Sequence, residues 1–326
     1  MEQPSAMDHE PAAVEAAAVT AGDPAERTLA LPNGMVIACQ SRMEAEHIYE
    51  DIFDKKIYLR HGVTLRDGAC VFDVGGNIGL FTLFVHSHCR DPRTYTFEPA
   101  PPLFRILSHN AGLYSPGARL FACGVAAARG RAVLTFYPYS SGMSSFHANL
   151  EEEKDVLRAI MVNQLRAGMP GMERIMTTSE DLLDARFTAQ SFECGLVTLS
   201  EVIVEQRIEA IDLLKIDVQK CELEVLQGIE PRHWQKVRQV VMEVHELDGR
   251  LEQVVELLRS RGFSVVVEQD PLLAGSVLYN LFAFSESACG GGAAGPSLRI
   301  SHSRASQQRA ALGRRRGPAA AGKGPT

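Results

Sequence analysis

Hydrophobic positions in this chain form short continuous runs, and several runs are followed by apolar residues at helical spacing. The run Val71–Val74 breaks at Gly75 and Gly76, and apolar residues resume in Leu80–Val85. A short apolar run that ends in glycine is typical of a buried parallel strand, and the resumed run is typical of the helix packed on it. The glycines therefore predict a tight turn between a first strand and a first helix.

The same alternation of strand and helix continues to residue 284 and predicts the fold class. Strands joined by helices form a parallel sheet that is covered on both faces. A last hairpin adds one antiparallel strand, so the prediction is an α/β Rossmann-type fold with a mostly parallel, doubly wound sheet and an antiparallel last strand. The predicted strands are 71–74, 94–97, 119–123, 211–217, 239–245, 263–268 and 278–284.

Four segments depart from this alternation. Residues 29–65 are predicted to cap the ligand-binding edge of the sheet. Residues 140–190 are rich in methionine, which favours either a lid that shapes an acceptor pocket or an ordinary helical core. The acidic Ala/Pro-rich leader 1–28 and the basic Gly/Ala/Arg-rich tail 286–326 have the composition of disordered segments.

Charge and cysteine content narrow the class of protein. The net charge is −7, and residues 288–326 hold seven basic side chains and no acid, which leaves residues 1–287 with −14. An acidic body argues against a nucleic-acid-binding surface. Seven cysteines without a C-x-x-C pair suggest neither a disulfide framework nor a zinc site. With no run of eighteen apolar residues, no membrane span is expected, and we predict a cytoplasmic protein.

The predicted turn has the pattern D-x-G-x-N-x-G, formed by Asp73, Gly75, Asn77 and Gly79 with Gly76 between them. Glycines let the backbone approach a ligand, and a helix N-terminus offers free N–H groups. A carboxylate in the turn repels a pyrophosphate but can hold an ammonium group. The dinucleotide pattern G-x-G-x-x-G also fails, because its second glycine is replaced by Asn77. S-adenosylmethionine is therefore the favoured cofactor.

Two further residues are expected at the cofactor. Glu98 ends the second strand, nineteen residues after Gly79. Ligands bind beyond the carboxyl ends of parallel strands, where such an acid accepts hydrogen bonds from ribose hydroxyls. Gly124 follows the third strand and is expected to close over the adenine.

The chain resembles the FkbM-type family of S-adenosylmethionine-dependent methyltransferases over about four-fifths of its length. The resemblance implies a class I methyltransferase-like fold. Where most members have an acid, a glycine and an alanine, this chain has Gln219–Cys221, as in a subgroup associated with polyketide and nonribosomal-peptide synthases. That subgroup implies O-methylation of a hydroxyl or enol on a small molecule or a carrier-bound intermediate. The stretches that carry the resemblance are Val71–Gly79, Phe97–Pro99, Leu214–Val218 and Glu222–Ile229.

Methyl transfer to oxygen requires alignment and a base that removes the hydroxyl proton. His245 ends a predicted strand on the ligand side, and histidine exchanges protons near neutral pH, so it is the first candidate base. A strand-end histidine is also often structural. Asp217 is expected to orient His245 or to contact the acceptor, and Glu243 is the second candidate base. His86, His88 and Cys89 lie together, but at the far end of the first helix, away from the pocket, so no metal site is assigned.

Two other functions fit parts of the sequence. A catalytically silent, cofactor-binding regulatory protein is suggested by the altered residues Gln219–Cys221. An NAD-linked oxidoreductase uses a similar sheet, and Asn77 disfavours it. The sequence assigns no oligomeric state.

Overall fold

The computed structural model describes residues 27–168, 184 and 186–286. Nearly all of the predicted leader and tail lies outside the described residues. So does the middle of the predicted lid, with Met169, Met172 and Met176. In the described part of the chain, no helix has both the length and the apolar character needed to cross a membrane.

The seven strands of the main sheet follow the predicted alternation, with bounds that differ from the predictions by a few residues at most. The strands are β1 (Thr28–Ala30), β2 (Val36–Ala38), β3 (Cys70–Val74), β4 (Arg93–Phe97), β5 (Arg119–Phe121), β6 (Gly124–Val125), β7 (Gly130–Phe136), β8 (Gln190–Val197), β9 (Leu213–Ile216), β10 (Gln239–His245), β11 (Phe263–Glu268) and β12 (Leu278–Ser285). The helices are α1 (Arg42–Tyr49), α2 (Leu80–His88), α3 (Pro101–Tyr114), α4 (Leu150–Arg166), α5 (Leu199–Glu205), α6 (Glu222–Gln227) and α7 (Arg250–Ser260). Short 3-10 segments cover Ile57–Leu59, Ser141–Met143, Pro231–Lys236 and Pro271–Leu273, and a π-helical turn covers Glu50–Asp54.

The main sheet has seven strands in the order β11-β12-β10-β9-β3-β4-β5. Neighbouring strands are parallel except at β12, which is antiparallel to both β10 and β11. The predicted fold class and its antiparallel last strand are therefore confirmed. Strands β3 and β9 are buried along their whole length, as expected for a sheet covered on both faces.

A second sheet of three strands, β6-β8-β7, stands beside the main one. The sequence analysis assigned no strand to residues 190–197, because β8 is mostly exposed or half-buried and has Gly195 in its interior. Gly124 begins β6 and is hydrogen-bonded into this sheet beside Leu196. It is therefore part of a strand, and its expected position over the adenine stays a prediction.

The N-terminal cap is attached to the main domain beside the glycine turn. Asn110 of α3 is fully buried. Its side chain accepts a hydrogen bond from the N–H of Ala38 at 2.8 Å and donates to the carbonyls of Ala38 and Ile78 at 3.0 and 2.8 Å. One amide side chain thus satisfies both backbone groups of Ala38 and joins β2 to the residue before Gly79.

Candidate active site

The glycines of the turn between β3 and α2 are required by close packing within the protein. We call residues 73–79 the cofactor turn. Gly75 has φ +84°, and a Cβ there would lie 1.9 Å from the carbonyl oxygen of Asp217. Gly79 has φ +93°, and its Cβ would lie 2.7 Å from Leu107. A side chain at either position would collide with the protein itself, so these glycines are explained without a ligand.

The N–H groups of the cofactor turn already have protein acceptors. Those of Gly75 and Gly76 donate to the carbonyl of Phe97, and that of Gly79 donates to Gly76. The N–H of Asn77 donates to Glu98, and the next N–H donates to the Asn77 side chain. These turn N–H groups are therefore bonded within the protein, and free N–H groups at the N-terminus of α2 stay a prediction.

Asp73 is fully buried and contacts a lysine of the protein. Its carboxylate lies 2.9 Å from the ammonium of Lys215 and accepts a hydrogen bond from Thr82 at 2.9 Å. Desolvation lowers the pKa of Lys215, but the charges of Asp73 and Asp217 more than compensate and hold it above its usual value. The ammonium also donates to the carbonyl of Gly75 at 2.7 Å. The cation beside Asp73 is thus Lys215, and Asp73 acts on the turn through that lysine.

Glu98 lies where the sequence placed it, at the end of β4 beside the cofactor turn. One carboxylate oxygen accepts the N–H of Asn77 at 2.8 Å, and the other accepts that of Ala100 at 2.9 Å. Desolvation raises the pKa of Glu98 to about 7, although both N–H donors favour the charged form. Each oxygen keeps a second lone pair for a ligand hydroxyl.

Gly124 lies against protein side chains. A Cβ there would lie 2.8 Å from both Leu196 and the ring of Phe146. The aromatic ring beside this residue is therefore one of the protein's own, and contact between Gly124 and an adenine stays a prediction.

The cap and the predicted lid meet at the cofactor turn. The Ser141 hydroxyl donates to Glu44 of α1 at 2.9 Å and accepts from the Asn77 side chain at 3.1 Å. A second contact from the cap joins the Tyr58 hydroxyl to Asp217 at 2.6 Å. Burial and the charge of Asp217 raise the pKa of Tyr58 well above its usual value, so the phenol keeps its proton and donates it.

A cavity of about 230 Å³ lies between α4, the end of β10 and two loops. We call it the acceptor cavity. The loop after β9 connects it to the cofactor turn, because Asp217 packs on Gly75 while Gln219 and Lys220 line the cavity. The other lining residues are Met143, Glu152, Glu153, Asp155, Val156, His245, Leu247, Gly275, Ser276 and Val277.

His245 lines this cavity and is 1% exposed. Its Nδ1 lies 2.5 Å from a carboxylate oxygen of Glu222, which is itself fully buried. The expectation that Asp217 orients this histidine is corrected, because the carboxylate of Asp217 contacts Tyr58 and the ring is held by Glu222. An imidazole fixed at Nδ1 has its Nε2 available for acid-base chemistry.

Glu243 lies beside Asp217 on the neighbouring strand. Desolvation, with the charges of Asp217 and Glu222, raises the pKa of Glu243 well above its usual value. A raised pKa makes this carboxyl harder to ionise, and its role as the second candidate base stays a prediction.

Several residues of the site were missed by sequence reasoning. Lys215 and Glu222 stand inside the stretches that carried the family resemblance, so their positions were noted but their roles were not. Tyr58, Glu44 and Ser141 carry no local signal, because only the tertiary fold brings the cap and the lid to the sheet edge.

The charges around the cofactor turn suit a cationic ligand. The carboxylates of Asp73 and Asp217 lie 2.9 and 3.8 Å from the single ammonium of Lys215, and the carboxyl groups of Glu98 and Glu243, whose pKa values are raised, lie nearby. A pyrophosphate would add negative charge to this set, whereas S-adenosylmethionine brings a sulfonium and an ammonium. The main-sheet order, the glycine turn after its first strand and the acid after its second define a class I methyltransferase that uses S-adenosyl-L-methionine.

The sequence comparisons agree with this class. A sequence profile described as the Methyltransferase FkbM domain matches residues 73–265, more than half of the chain. The chain belongs to the FkbM methyltransferase family and is a methyltransferase.

Three known relatives are similar in sequence to this chain. The 31-O-demethyl-FK506 methyltransferase FkbM of Streptomyces tacrolimicus is 44% identical over 256 residues, which cover 78% of this chain and 96% of that protein. The AMB antimetabolite synthetase AmbE of Pseudomonas aeruginosa is 39% identical over 78% of this chain, but over only 12% of its own length. Methyltransferase sdnD of Sordaria araneosa is 33% identical over 69% of this chain and 84% of its own.

Proposed function

We propose that this methyltransferase methylates an oxygen, the hydroxyl or enol of a small molecule or of a carrier-bound polyketide or peptide intermediate. The observation that carries the proposal is the pair His245–Glu222 at the acceptor cavity. A buried imidazole that is held by a carboxylate at one nitrogen is arranged to take a proton at the other.

In the proposed step, the Nδ1–H of His245 donates a hydrogen bond to Glu222, which leaves the lone pair on Nε2. The tautomer is assigned from this hydrogen bond. Nε2 removes the proton of the acceptor hydroxyl, and the imidazolium that forms is stabilised by Glu222. Arg250 lies 3.3 Å from the second oxygen of Glu222 and supports its negative charge.

The cofactor, when bound, supplies an electrophilic methyl group. We assign Glu98 to its ribose hydroxyls and the shape of its site to Gly75, Gly76, Asn77 and Gly79. Asp73 and Lys215 hold the turn in place, and Asp217 contacts the ligands where the cofactor turn meets the acceptor cavity. Alignment of acceptor and cofactor is expected to supply much of the rate enhancement.

The nature of the cavity and the names of two relatives support the acceptor class. Met143, Val156, Leu247 and Val277 give the cavity apolar surface, which suits a hydroxyl on an apolar skeleton. One relative is named for a 31-O-demethyl substrate. A second relative is a synthetase. This name supports an acceptor that is an intermediate bound to a synthetase.

Two measurements test the proposal. Calorimetric titration with S-adenosylhomocysteine, with NAD as the control ligand, is expected to give micromolar binding of the first and none of the second. Labelled S-adenosylmethionine is then offered with hydroxylated acceptors, free and carrier-tethered, and with amine analogues of the same skeletons. Label on the hydroxylated acceptors supports O-methylation. Label only on the amines refutes it.

A further inference from the structure

Lys220 has a backbone conformation that is unusual for its residue type. It lies in the loop between β9 and α6 with φ +64°, in the left-handed region that favours glycine. Its side chain is also buried, and the residue is only 4% exposed. Backbone strain and a buried charge both oppose folding, so such a residue persists where its side chain makes compensating contacts.

The compensating contacts lead to the lid helix α4. The Lys220 ammonium lies 2.6 Å from the carboxylate of Glu152 and 2.9 Å from that of Glu153. Both glutamates belong to the first turn of α4, where the helix dipole favours negative charge. The Glu153 carboxylate also accepts the N–H of Asn149 at 3.0 Å, so Lys220 contacts a side chain that caps the helix.

The backbone of Lys220 is attached to the proposed catalytic pair. Its N–H donates at 3.1 Å to the same Glu222 oxygen that contacts His245. Its carbonyl accepts a hydrogen bond from Arg250 at 2.6 Å. The main chain of Lys220 is therefore fixed to the acid-base pair, while its side chain is fixed to the lid helix.

The C-terminal half of α4 is held differently. The Asn163 side chain donates to the carbonyls of Leu272 and Ala274 at 2.9 and 2.8 Å, beside the cavity residues Gly275 and Ser276. These are neutral hydrogen bonds to backbone, whereas the buried Lys220 ammonium pairs with the buried Glu153 carboxylate and with that of Glu152, whose side chain is 43% exposed. Removing one partner of a buried ion pair leaves the other charge uncompensated, so the Lys220 contact is the more sensitive attachment.

We infer that Lys220 is a positioning residue, which holds the lid helix against the loop after β9 and so sets the width of the acceptor cavity. The use of the cavity as an acceptor site rests on the proposed function above. The attachment of α4 to the loop after β9 is independent of that function.

Hydrogen exchange of the full-length protein tests the attachment without an acceptor. Lys220→Gly removes the ammonium and suits the φ of the position, so the loop keeps its path. We expect the amides of α4 to exchange at least tenfold faster in this variant. Lys220→Arg, which can still pair with Glu152 and Glu153, should stay within twofold of wild type.

Lys56→Gly is the matched control, because Lys56 is an exposed lysine that also has positive φ, +50°. It removes strain of the same kind and should leave the exchange of α4 unchanged. Unchanged exchange of α4 in Lys220→Gly would overturn the inference. The inference would also be overturned if the α4 amides exchanged as fast in Lys220→Arg as in Lys220→Gly, because the positive charge would then not hold the helix.

Ligand measurements separate this inference from the proposed function. S-adenosylhomocysteine should bind Lys220→Gly within threefold of wild type, and loss of that affinity would mean that Lys220 acts on the cofactor turn instead. With an accepted acceptor, KM should rise at least tenfold while kcat changes less than threefold. Wild-type protein that binds no S-adenosylhomocysteine would refute the proposed function, and the exchange experiment would still decide the role of Lys220.

Discussion

The cofactor turn and the acceptor cavity are each contacted by a buried lysine from the same short segment, but the two lysines join different parts of the molecule. Lys215 lies within β9 and contacts Asp73 and Gly75 of the adjacent strand and turn. Lys220 lies after the strand and contacts Glu152 and Glu153 of the lid helix. The cofactor turn is thus held by a contact between neighbouring strands of the main sheet. The acceptor cavity is held by a contact with helix α4, which lies outside that sheet. We expect the first to keep its shape when the lid helix moves.

The largest effect is expected at the acceptor cavity. His245→Asn keeps a donor near Nδ1 for Glu222 but removes Nε2, so turnover should fall roughly a hundred- to ten-thousand-fold. Affinity for S-adenosylhomocysteine should stay within threefold. Turnover is measured under saturating cofactor, and binding by calorimetry.

The control for this variant is His233→Asn. His233 is also buried, and its Nδ1 bonds to Ser200 on another part of the domain. Its replacement should affect stability but not turnover of the folded protein. Near-normal turnover in His245→Asn would leave that histidine with a structural role only and would remove the proposed base.

The next effect concerns the cofactor side. Lys215→Met leaves the Asp73 carboxylate buried without its cation, so the free energy of unfolding should fall by about 3–5 kcal/mol. The double variant Asp73→Asn with Lys215→Met should recover part of this loss. Urea unfolding measures both.

Lys236→Met provides the comparison, because the Lys236 ammonium makes a single hydrogen bond to a backbone carbonyl away from the site. Its loss should cost about 1 kcal/mol. Equal losses for the two lysines would show that the Asp73–Lys215 pair is no more important than one part-buried hydrogen bond, and the proposed contrast between the two regions would fail.

A smaller effect follows from the pKa of Glu98, which desolvation raises to about 7. If the carboxylate accepts ribose hydroxyls, only its ionised form binds well, and at pH 6 about a tenth of the protein has that form. S-adenosylhomocysteine should therefore bind about tenfold more tightly at pH 8 than at pH 6. A Glu98→Gln variant with the same pH dependence would exclude this carboxyl as its source.

The same carboxyl affects stability with the opposite sign. Its folded-state pKa lies above the usual 4.5, so the folded state binds the proton more tightly than the unfolded state. Stability is therefore fully present below about pH 4.5 and falls as pH rises through 7, by roughly 3 kcal/mol in all. Unfolding measured from pH 4 to 8, for wild type and Glu98→Gln, isolates this contribution.

The smallest effect on stability and cofactor affinity is expected at Ser141, which lies between the N-terminal cap and the cofactor turn. Ser141→Ala removes the hydroxyl that joins Glu44 to Asn77 and should lower stability by about 1 kcal/mol. Affinity for S-adenosylhomocysteine should fall by less than about fivefold, since the cofactor turn keeps its other contacts. Ser108→Ala removes a hydroxyl that bonds within its own helix and should change neither quantity. Loss of binding in Ser141→Ala would show that the lid holds the cofactor side after all.

The sequence by itself determined the sheet, the turn and the class of cofactor. Apolar runs, glycines and the acids that end strands are local signals, because a buried strand needs a continuous apolar run and a tight turn needs glycine. Strand β8 was not predicted, because its hydrophobic pattern is weak and most of its residues are exposed or half-buried. Residues 140–190 were predicted to form a lid or an ordinary helical core, and the contacts of α4 were not predicted.

The tertiary structure alone decided which groups face one another. Asp73 was expected to hold a ligand ammonium, yet strand register places Lys215 of β9 opposite it, far along the chain. Glu222, and not Asp217, reaches His245, because α6 turns back over the end of β10. Hydrogen bonds and ion pairs between distant segments leave no periodic trace in a sequence. They depend on which side chains the folded backbone brings within about 3 Å of each other.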